Sequence, residues 1–485
     1  MIGAERPTNP RILFININPR PEWSRDKTLI YFNNGLCQVM THVKKSGYNF
    51  DLLDFSVTPI RKDEFVEHIS QGRFDVVAFG GMVHTLWQMK EIATLVKLVS
   101  PESCVVVGGY ATMLEKDAVL QWTCADVAIR GEGEFALVDL LERMKQGRDF
   151  DGIPGVAYKD REGVIHPATI RKPDLPLDQK GFPEWDLFDI EAYIQSGSKL
   201  VSHHLGALRN LRFFPIITTR GCPFRCTFCS NNPIIQAHNP YRRHSPAFVA
   251  AMIKELHDHY SINHFKFLDE LSFLTKSDVE LLLDELDLLN LDVTFEAICR
   301  VGLFGESDLA LAQRMKAAGF YRLFYSLESG SPRILQLMNK QISIEAFSTQ
   351  KQVLDAAGIS SGTNVIVGYP TETEEDIAQT FKVCRENAIL PSVCFLLPIP
   401  GSEIYDLALR EGYIENEQKY IFDIGEQQYL KINMTDLTDE QLYSCTVNHL
   451  KKIRDALSLD VPDENLICSV NIGGKQNGKK TLFVS

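Results

Sequence analysis

Short apolar runs that stop at a glycine or a charge recur along this chain, each followed by a longer amphipathic stretch. "RILFINI", "FDLLDF", "FDVVAFGG", "SCVVVGG" and "ADVAIRGEGE" read as five strands, with helical patterns such as "LCQVMTHVKKSG", "LWQMKEIATLVKLV" and "FALVDLLERMKQG" among them. A strand that is apolar on both faces needs cover on both faces. Strands alternating with helices supply that cover and predict a parallel, doubly wound, Rossmann-like α/β sheet. Ligands on such a sheet bind beyond the carboxyl ends of the strands. Here those ends carry Gly80, Gly81, Gly108, Gly109 and Gly131, followed by Met82, Tyr110 and Glu132. One glycine alone makes a tight turn; three glycine exits in one sheet make a binding edge where a flat or bulky ligand approaches the backbone. No GxGxxG opens the first helix, so a dinucleotide is a poor fit.

From residue 173 to 210 the alternation breaks, and "RKPDLPLDQKGFPEWDLFD" reads as a linker. It then resumes, with six strand-like segments at "FFPIITTRG", "HFKFLD", "VTFEAICR", "RLFYSLES", "GTNVIVGYP" and "PSVCFLLP". With helices between them they predict a partial (β/α)6, TIM-like barrel. The last stretch reads as a C-terminal helical extension. The 485 residues exceed one hydrophobic core, and the predicted division is 1–172, linker 173–210, barrel 211–412 and extension 413–485.

"RGCPFRCTFCS" places Cys222, Cys226 and Cys229 just after the first barrel strand. Spacing of four and three would suit core thiols on one helix face, but Gly221 and Pro223 oppose a helix. Zinc would need a fourth ligand from elsewhere, and structural zinc usually takes paired cysteines. An iron–sulfur cluster held by three thiolates keeps one iron open to a small molecule, and loop, strand and spacing favour it. Carboxyl ends of barrel strands are where such barrels place their chemistry.

"CPFRCTFC" resembles the CxxxCxxC motif of radical S-adenosylmethionine (SAM) enzymes, including the aromatic residue before the third cysteine. "FLDELSFL", "AICRVGLF", "MKAAGFYRLFYSLESGSPRILQLMNK", "NVIVGYPTET" and "LLPIPGSEIYDLA" resemble the subgroup with an N-terminal cobalamin-binding domain, as do "VVVGGYATM" and "DVAIRGEGE". The resemblance covers most of residues 10 to 415. It implies an enzyme with three cofactors: a [4Fe-4S] cluster on Cys222, Cys226 and Cys229, SAM, and cobalamin. SAM chelates the open iron, and one electron releases a 5′-deoxyadenosyl radical. It further implies Asp269 and Glu270 for the SAM ammonium, Arg300 for its carboxylate, Glu328 with Ser326 and Ser329 for the ribose, and Phe228 against the adenine. The corrin would lie on Gly80, Gly81, Met82, His84, Gly108, Gly109, Tyr110, Gly131 and Glu132. The chain lacks the DxHxxG motif that supplies a cobalt-binding histidine, which leaves His84 as the candidate to approach cobalt and Trp87 to shield it.

The activity implied is methylation of an unactivated sp3 carbon of a small molecule or peptide. The alternatives are a radical cyclisation, ring contraction or oxidative rearrangement, and a non-catalytic redox sensor. An external donor such as flavodoxin or ferredoxin would deliver the electron. The net charge of −13 disfavours a nucleic-acid partner. Eleven scattered cysteines, no secretory pattern at the N-terminus and no stretch long enough to span a bilayer predict a cytoplasmic protein without a membrane partner.

Overall fold

The computed structural model describes residues 9–17, 30, 32–147, 149–173, 175–205, 210–231, 233–425, 429–467 and 482–483. The first unit is a seven-stranded sheet of β1 (Ile12–Asn16), β2 (Phe50–Asp54), β3 (Val76–Gly80), β4 (Cys104–Gly108), β5 (Val127–Ile129), β6 (Val156–Lys159) and β7 (Ile165–His166), in the order β2-β1-β3-β4-β5-β6-β7. The first five strands are parallel. Their apolar runs are buried on both faces, as at Val76, Val77, Ala78 and Phe79. The order of these five is that of a doubly wound sheet whose switch point lies between β1 and β3. An antiparallel hairpin, β6 and β7, is added at the β5 edge. Its turn was not legible among the surrounding polar residues.

The second unit carries β8 (Phe213–Ile216), β9 (Thr219–Arg220), β10 (Arg242–Arg243), β11 (His264–Phe267), β12 (Thr294–Ile298), β13 (Phe320–Phe324), β14 (Ser360–Gly362), β15 (Asn364–Val367) and β16 (Ser392–Phe395). Strands β8, β11, β12, β13 and β14 run parallel in that spatial order, and β15 pairs parallel with β16. A bridge between Glu328 and Val365 continues the curve from the exit of β13 to β15. The six predicted segments therefore form an open parallel barrel. On its strands, Phe265, Phe267, Phe295 and Phe320 pack ring to ring, with centroids 4.9–5.9 Å apart.

The segment read as a linker is structured. It contains the helix Ile190–Leu205, whose Tyr193 donates to Asp54 at the end of β2 over 2.7 Å. Phe32 lies against Phe188, Tyr193 and Phe214 at 4.9–5.3 Å, which joins the first unit, the connecting segment and β8 in one aromatic group. In the extension, the helix Asp439–Ala456 packs on the helix Glu374–Glu386 of the barrel, and Glu417–Asp423 packs on the turn Val83–Thr85 of the first unit. Among the described residues no helix is long and apolar enough to cross a membrane.

Candidate active site

The cysteine loop leaves β9 at Gly221. Its φ is +77°, and a Cβ there would lie 2.5 Å from the Asn239 carbonyl oxygen, so only glycine fits. The loop is tied from all sides. Asn231 donates to the carbonyls of Cys222 (2.6 Å) and Phe224 (3.2 Å). Thr227 donates to the Leu337 carbonyl over 3.0 Å and its hydroxyl lies 2.5 Å from that of Tyr369. Asn339 donates to the Arg225 carbonyl over 2.8 Å. Burial raises the thiol of Cys222 and pushes that of Cys229 up to about 11, and the three sulfurs lie near enough to reinforce the rise. Cys229 keeps an exposed surface yet stands in a crowded neighbourhood. Cationic iron would reverse these shifts, since a metal binds the thiolate.

The other residues expected around the loop take different roles. Arg300 lies 3.5 Å over the Phe224 ring, and its Nη2 donates to the Lys340 carbonyl. Glu328, at φ +62°, is buried and accepts from Lys340 over 2.8 Å. Lys340 also stands 5.8 Å from the Phe228 ring and acts electrostatically on Cys229. Sequence reading missed this lysine, which lies twelve positions beyond Glu328 with no pattern to mark it. Ser326 is half-buried at the exit of β13. Ser329 turns away from the barrel, where its hydroxyl meets Thr380 at 3.2 Å and accepts from the Ser331 amide.

Asp269, on the cavity wall, is held by the chain itself. One oxygen accepts the amides of Thr218 (2.7 Å) and Thr219 (3.0 Å), and the other accepts the Thr218 hydroxyl (2.6 Å). It fixes the bend that aims the chain from β8 into the cysteine loop. Burial raises it to about 6 against those bonds. Glu270, the next residue, is exposed and accepts from the Tyr110 hydroxyl over 2.6 Å.

The carboxyl ends of both sheets open onto one cavity of about 710 Å³. Gly80, Gly81, Met82, Gly108, Gly109, Tyr110, Gly131 and Glu132 line it from the first unit; Ile216, Thr219, Leu268, Asp269 and Glu270 line it from the barrel. His84 is not on this wall, and Met82 is, with 46% of its surface exposed. The turn Val83–Thr85, which carries His84, packs against the helix Glu417–Asp423 of the C-terminal extension.

One wall of the cavity is a cluster of charges from four regions of sequence. Glu132 accepts from Lys180 (2.7 Å), Arg220 (2.8 Å) and Arg242, and Glu134 accepts from Lys180 (3.0 Å) and Arg220 (2.8 Å). Burial opposes both carboxylates, yet Arg220 and Lys180 hold them below the usual range. Glu132 thus lines the cavity with its oxygens engaged by three cations. Behind the cluster, the segment 238–242 buries polar atoms with no hydrogen-bond partner among the described residues: His238 Nδ1, Asn239 Oδ1, Tyr241 Oη, and Arg242 Nε and Nη1. Tyr241 acts electrostatically on both Cys222 and Asp269. Buried orphans of this kind point to bound groups.

Residues 28–141 match the B12 binding domain, and residues 216–384 match the radical SAM superfamily. The chain carries a B12-binding domain followed by a radical SAM domain. It is 27% identical over 397 residues to an uncharacterized methyltransferase of Pyrococcus horikoshii, covering 80% of this chain and 81% of the relative. It is 24% identical over 387 residues to an anaerobic magnesium-protoporphyrin IX monomethyl ester cyclase of Rubrivivax gelatinosus, covering 79% and 67%. It is 23% identical over 443 residues to a cytidylyl-2-hydroxyethylphosphonate methyltransferase of Streptomyces wedmorensis, covering 79% of each. Among solved structures it matches TsrM from Kitasatospora setae, a radical SAM methyltransferase with cobalamin and a [4Fe-4S] cluster bound. The TM-score is 0.64 at 16% identity, over 84% of this chain and 79% of that one. It also matches OxsB, a cobalamin-dependent SAM radical enzyme, with a TM-score of 0.63 at 14% identity over 95% and 64%.

The residues fit a cluster and a corrin. Three neighbouring thiols on a loop with satisfied carbonyls suit a cluster with one open iron, and the Tyr241 hydroxyl beside them awaits a partner. The glycine exits form a bare backbone shelf. A Cβ on Gly108 would meet nothing within 4 Å, while one on Gly109 (φ +81°) would sit 2.7 Å from the Gly81 carbonyl oxygen. A broad macrocycle needs such a shelf.

Proposed function

We propose that this chain is a cobalamin-dependent radical SAM methyltransferase acting on an unactivated sp3 carbon of a small molecule or peptide. The observation that carries this reading is the single cavity on which both sheet edges open, since two cofactors that work on one carbon must face each other. Relatives and a structural neighbour named as methyltransferases support it. Cys222, Cys226 and Cys229 would hold the cluster, and Gly80, Gly81, Met82, Gly108, Gly109 and Gly131 would carry the corrin. When bound, the cluster supplies the electron that splits SAM to a carbon radical, and the corrin supplies the methyl group.

The chain's own part is orientation and exclusion of water. Glu270, steadied by Tyr110, is placed to accept from the SAM ammonium. Asp269 fixes the strand exit beneath it. Lys340 neutralises Glu328 and leaves the remaining carboxylate oxygen for a ribose hydroxyl. Met82 and Leu268 supply apolar walls on opposite sides of the cavity. The division at 173–210 and the extension from 413 stand as our reading of the domains, and an external flavodoxin or ferredoxin as that of the reductant.

A second reading keeps all three cofactors but moves no methyl group. The likeness to a cyclase favours it. Anaerobic turnover with candidate substrates separates the two. Methylated product with both S-adenosylhomocysteine and 5′-deoxyadenosine supports methyl transfer. An unmethylated product with 5′-deoxyadenosine alone supports rearrangement and overturns our reading.

A further inference from the structure

One of the hydrogen bonds between the two units joins the glycine edge of the first sheet to the exit of β11. Tyr110 follows the glycine exit of β4, and Glu270 follows β11; their contact is 2.6 Å across 160 residues of sequence. The tyrosine is aimed by its backbone. Gly81 donates to the Gly108 carbonyl (3.2 Å) and Ala111 donates to the Gly81 carbonyl (3.0 Å), which laces the exits of β3 and β4 together. Gly109 turns the chain at φ +81°, so Tyr110 leaves the shelf and crosses the cavity. Burial, with Glu270 next to it, raises the phenol, which keeps it a donor. Asn239 also faces the phenol, and Cys229 acts on it electrostatically, so one hydroxyl stands where the glycine shelf, the cysteine loop and the β11 exit converge. Among the described residues Glu270 makes no ion pair, and its carboxylate accepts from Tyr110. Its carboxylate rotates freely without that bond.

We propose that Tyr110 is a positioning residue that couples the two cofactor sites: a corrin on the glycine shelf fixes the tyrosine, the tyrosine fixes the Glu270 carboxylate, and that carboxylate holds the SAM ammonium. SAM and cobalamin therefore bind with positive cooperativity, and by linkage each raises the affinity of the other by the same factor. The coupling rests on the reading that Glu270 receives the ammonium.

The test is anaerobic equilibrium dialysis of labelled SAM against cluster-loaded protein, with and without saturating cobalamin, for wild type, Tyr110→Phe and Glu270→Gln. In wild type, cobalamin should tighten SAM binding about tenfold, within the usual range of coupling between sites. Tyr110→Phe should reduce that effect to less than about twofold while SAM still binds. A Tyr110→Phe variant that keeps the full cobalamin effect overturns the coupling. Glu270→Gln should weaken SAM binding in both conditions; if it does not, the ammonium reading fails independently of the coupling. Where Tyr110→Phe loses the corrin, Glu270→Gln tests the same link in reverse, through cobalamin retention measured by its visible absorbance. Retention that SAM no longer improves supports the proposal, and retention that SAM improves as in wild type overturns it.

Discussion

Asp269 and Glu270 are adjacent carboxylates with opposite assignments, and the difference is hydrogen bonding. Asp269 accepts three donors from Thr218 and Thr219. Hydrogen bonds to a charged group contribute about 1.5–3 kcal/mol each, and an amide in its place would turn an NH2 onto one of those donors. Asp269→Asn should lower the urea midpoint clearly and reduce the iron bound per chain after reconstitution; unchanged values would show that the strand exit does not depend on it. A second buried carboxylate, Glu372, accepts the amides of Gly368 and Tyr369, and burial raises it to about 7. The native state then holds a proton that the unfolded state has lost, so stability falls as pH rises from about 4.5 to 7, by up to about 1.4 kcal/mol per pH unit. Glu372→Gln keeps both acceptor contacts and should flatten that slope in denaturation measured between pH 5 and 7. With His84 off the cavity wall, the electron paramagnetic resonance of cob(II)alamin in this protein should lack axial nitrogen splitting. A nitrogen triplet abolished by His84→Ala would contradict the geometry.

At the scale of elements, the buried charge cluster fastens the head of the helix Gly133–Gln146 to the connecting segment and to the β9–β10 pair. Removing one partner of a buried pair typically costs about 3–5 kcal/mol. Glu134→Gln should therefore destabilise the whole chain and loosen Arg220, two residues before Cys222. Thermal unfolding together with iron content would detect both effects. Because Arg220 and Lys180 depress the two carboxylates, their contribution is present above the normal carboxylate range, near pH 4.3, and is lost as pH falls below it. The cluster was not legible in sequence: Glu132 and Arg220 are 88 residues apart, and a lone arginine beside a glycine carries no local signal. The parallel strands and glycine exits were legible because burial on two faces leaves an unbroken apolar run. The cysteine loop was legible because its three thiols are neighbours in sequence. The helix Ile190–Leu205 was hidden by the proline- and aspartate-rich stretch before it. The roles of Arg300 and Glu328 depended on Phe224 and Lys340, contacts that no local pattern announces.

The first five strands of one sheet and the barrel strands β8 and β11 set their carboxyl ends toward one cavity, where Tyr110 and Glu270 join the two units. Neither sheet alone encloses the space, so cofactor binding and domain packing depend on each other. The extension reinforces the arrangement: Lys90 of the first unit lies 4.9 Å from the Phe422 ring, and Phe483 packs 5.2 Å from Phe65. The measurement that reaches the central claim most directly is electron paramagnetic resonance of the reduced, cobalamin-loaded protein before and after SAM. A [4Fe-4S] signal that SAM shifts in wild type, and that is missing from a Cys222→Ala, Cys226→Ala, Cys229→Ala variant still carrying cobalamin, is the predicted result. A spectrum indifferent to SAM, or zinc in place of iron on those three thiolates, would contradict it.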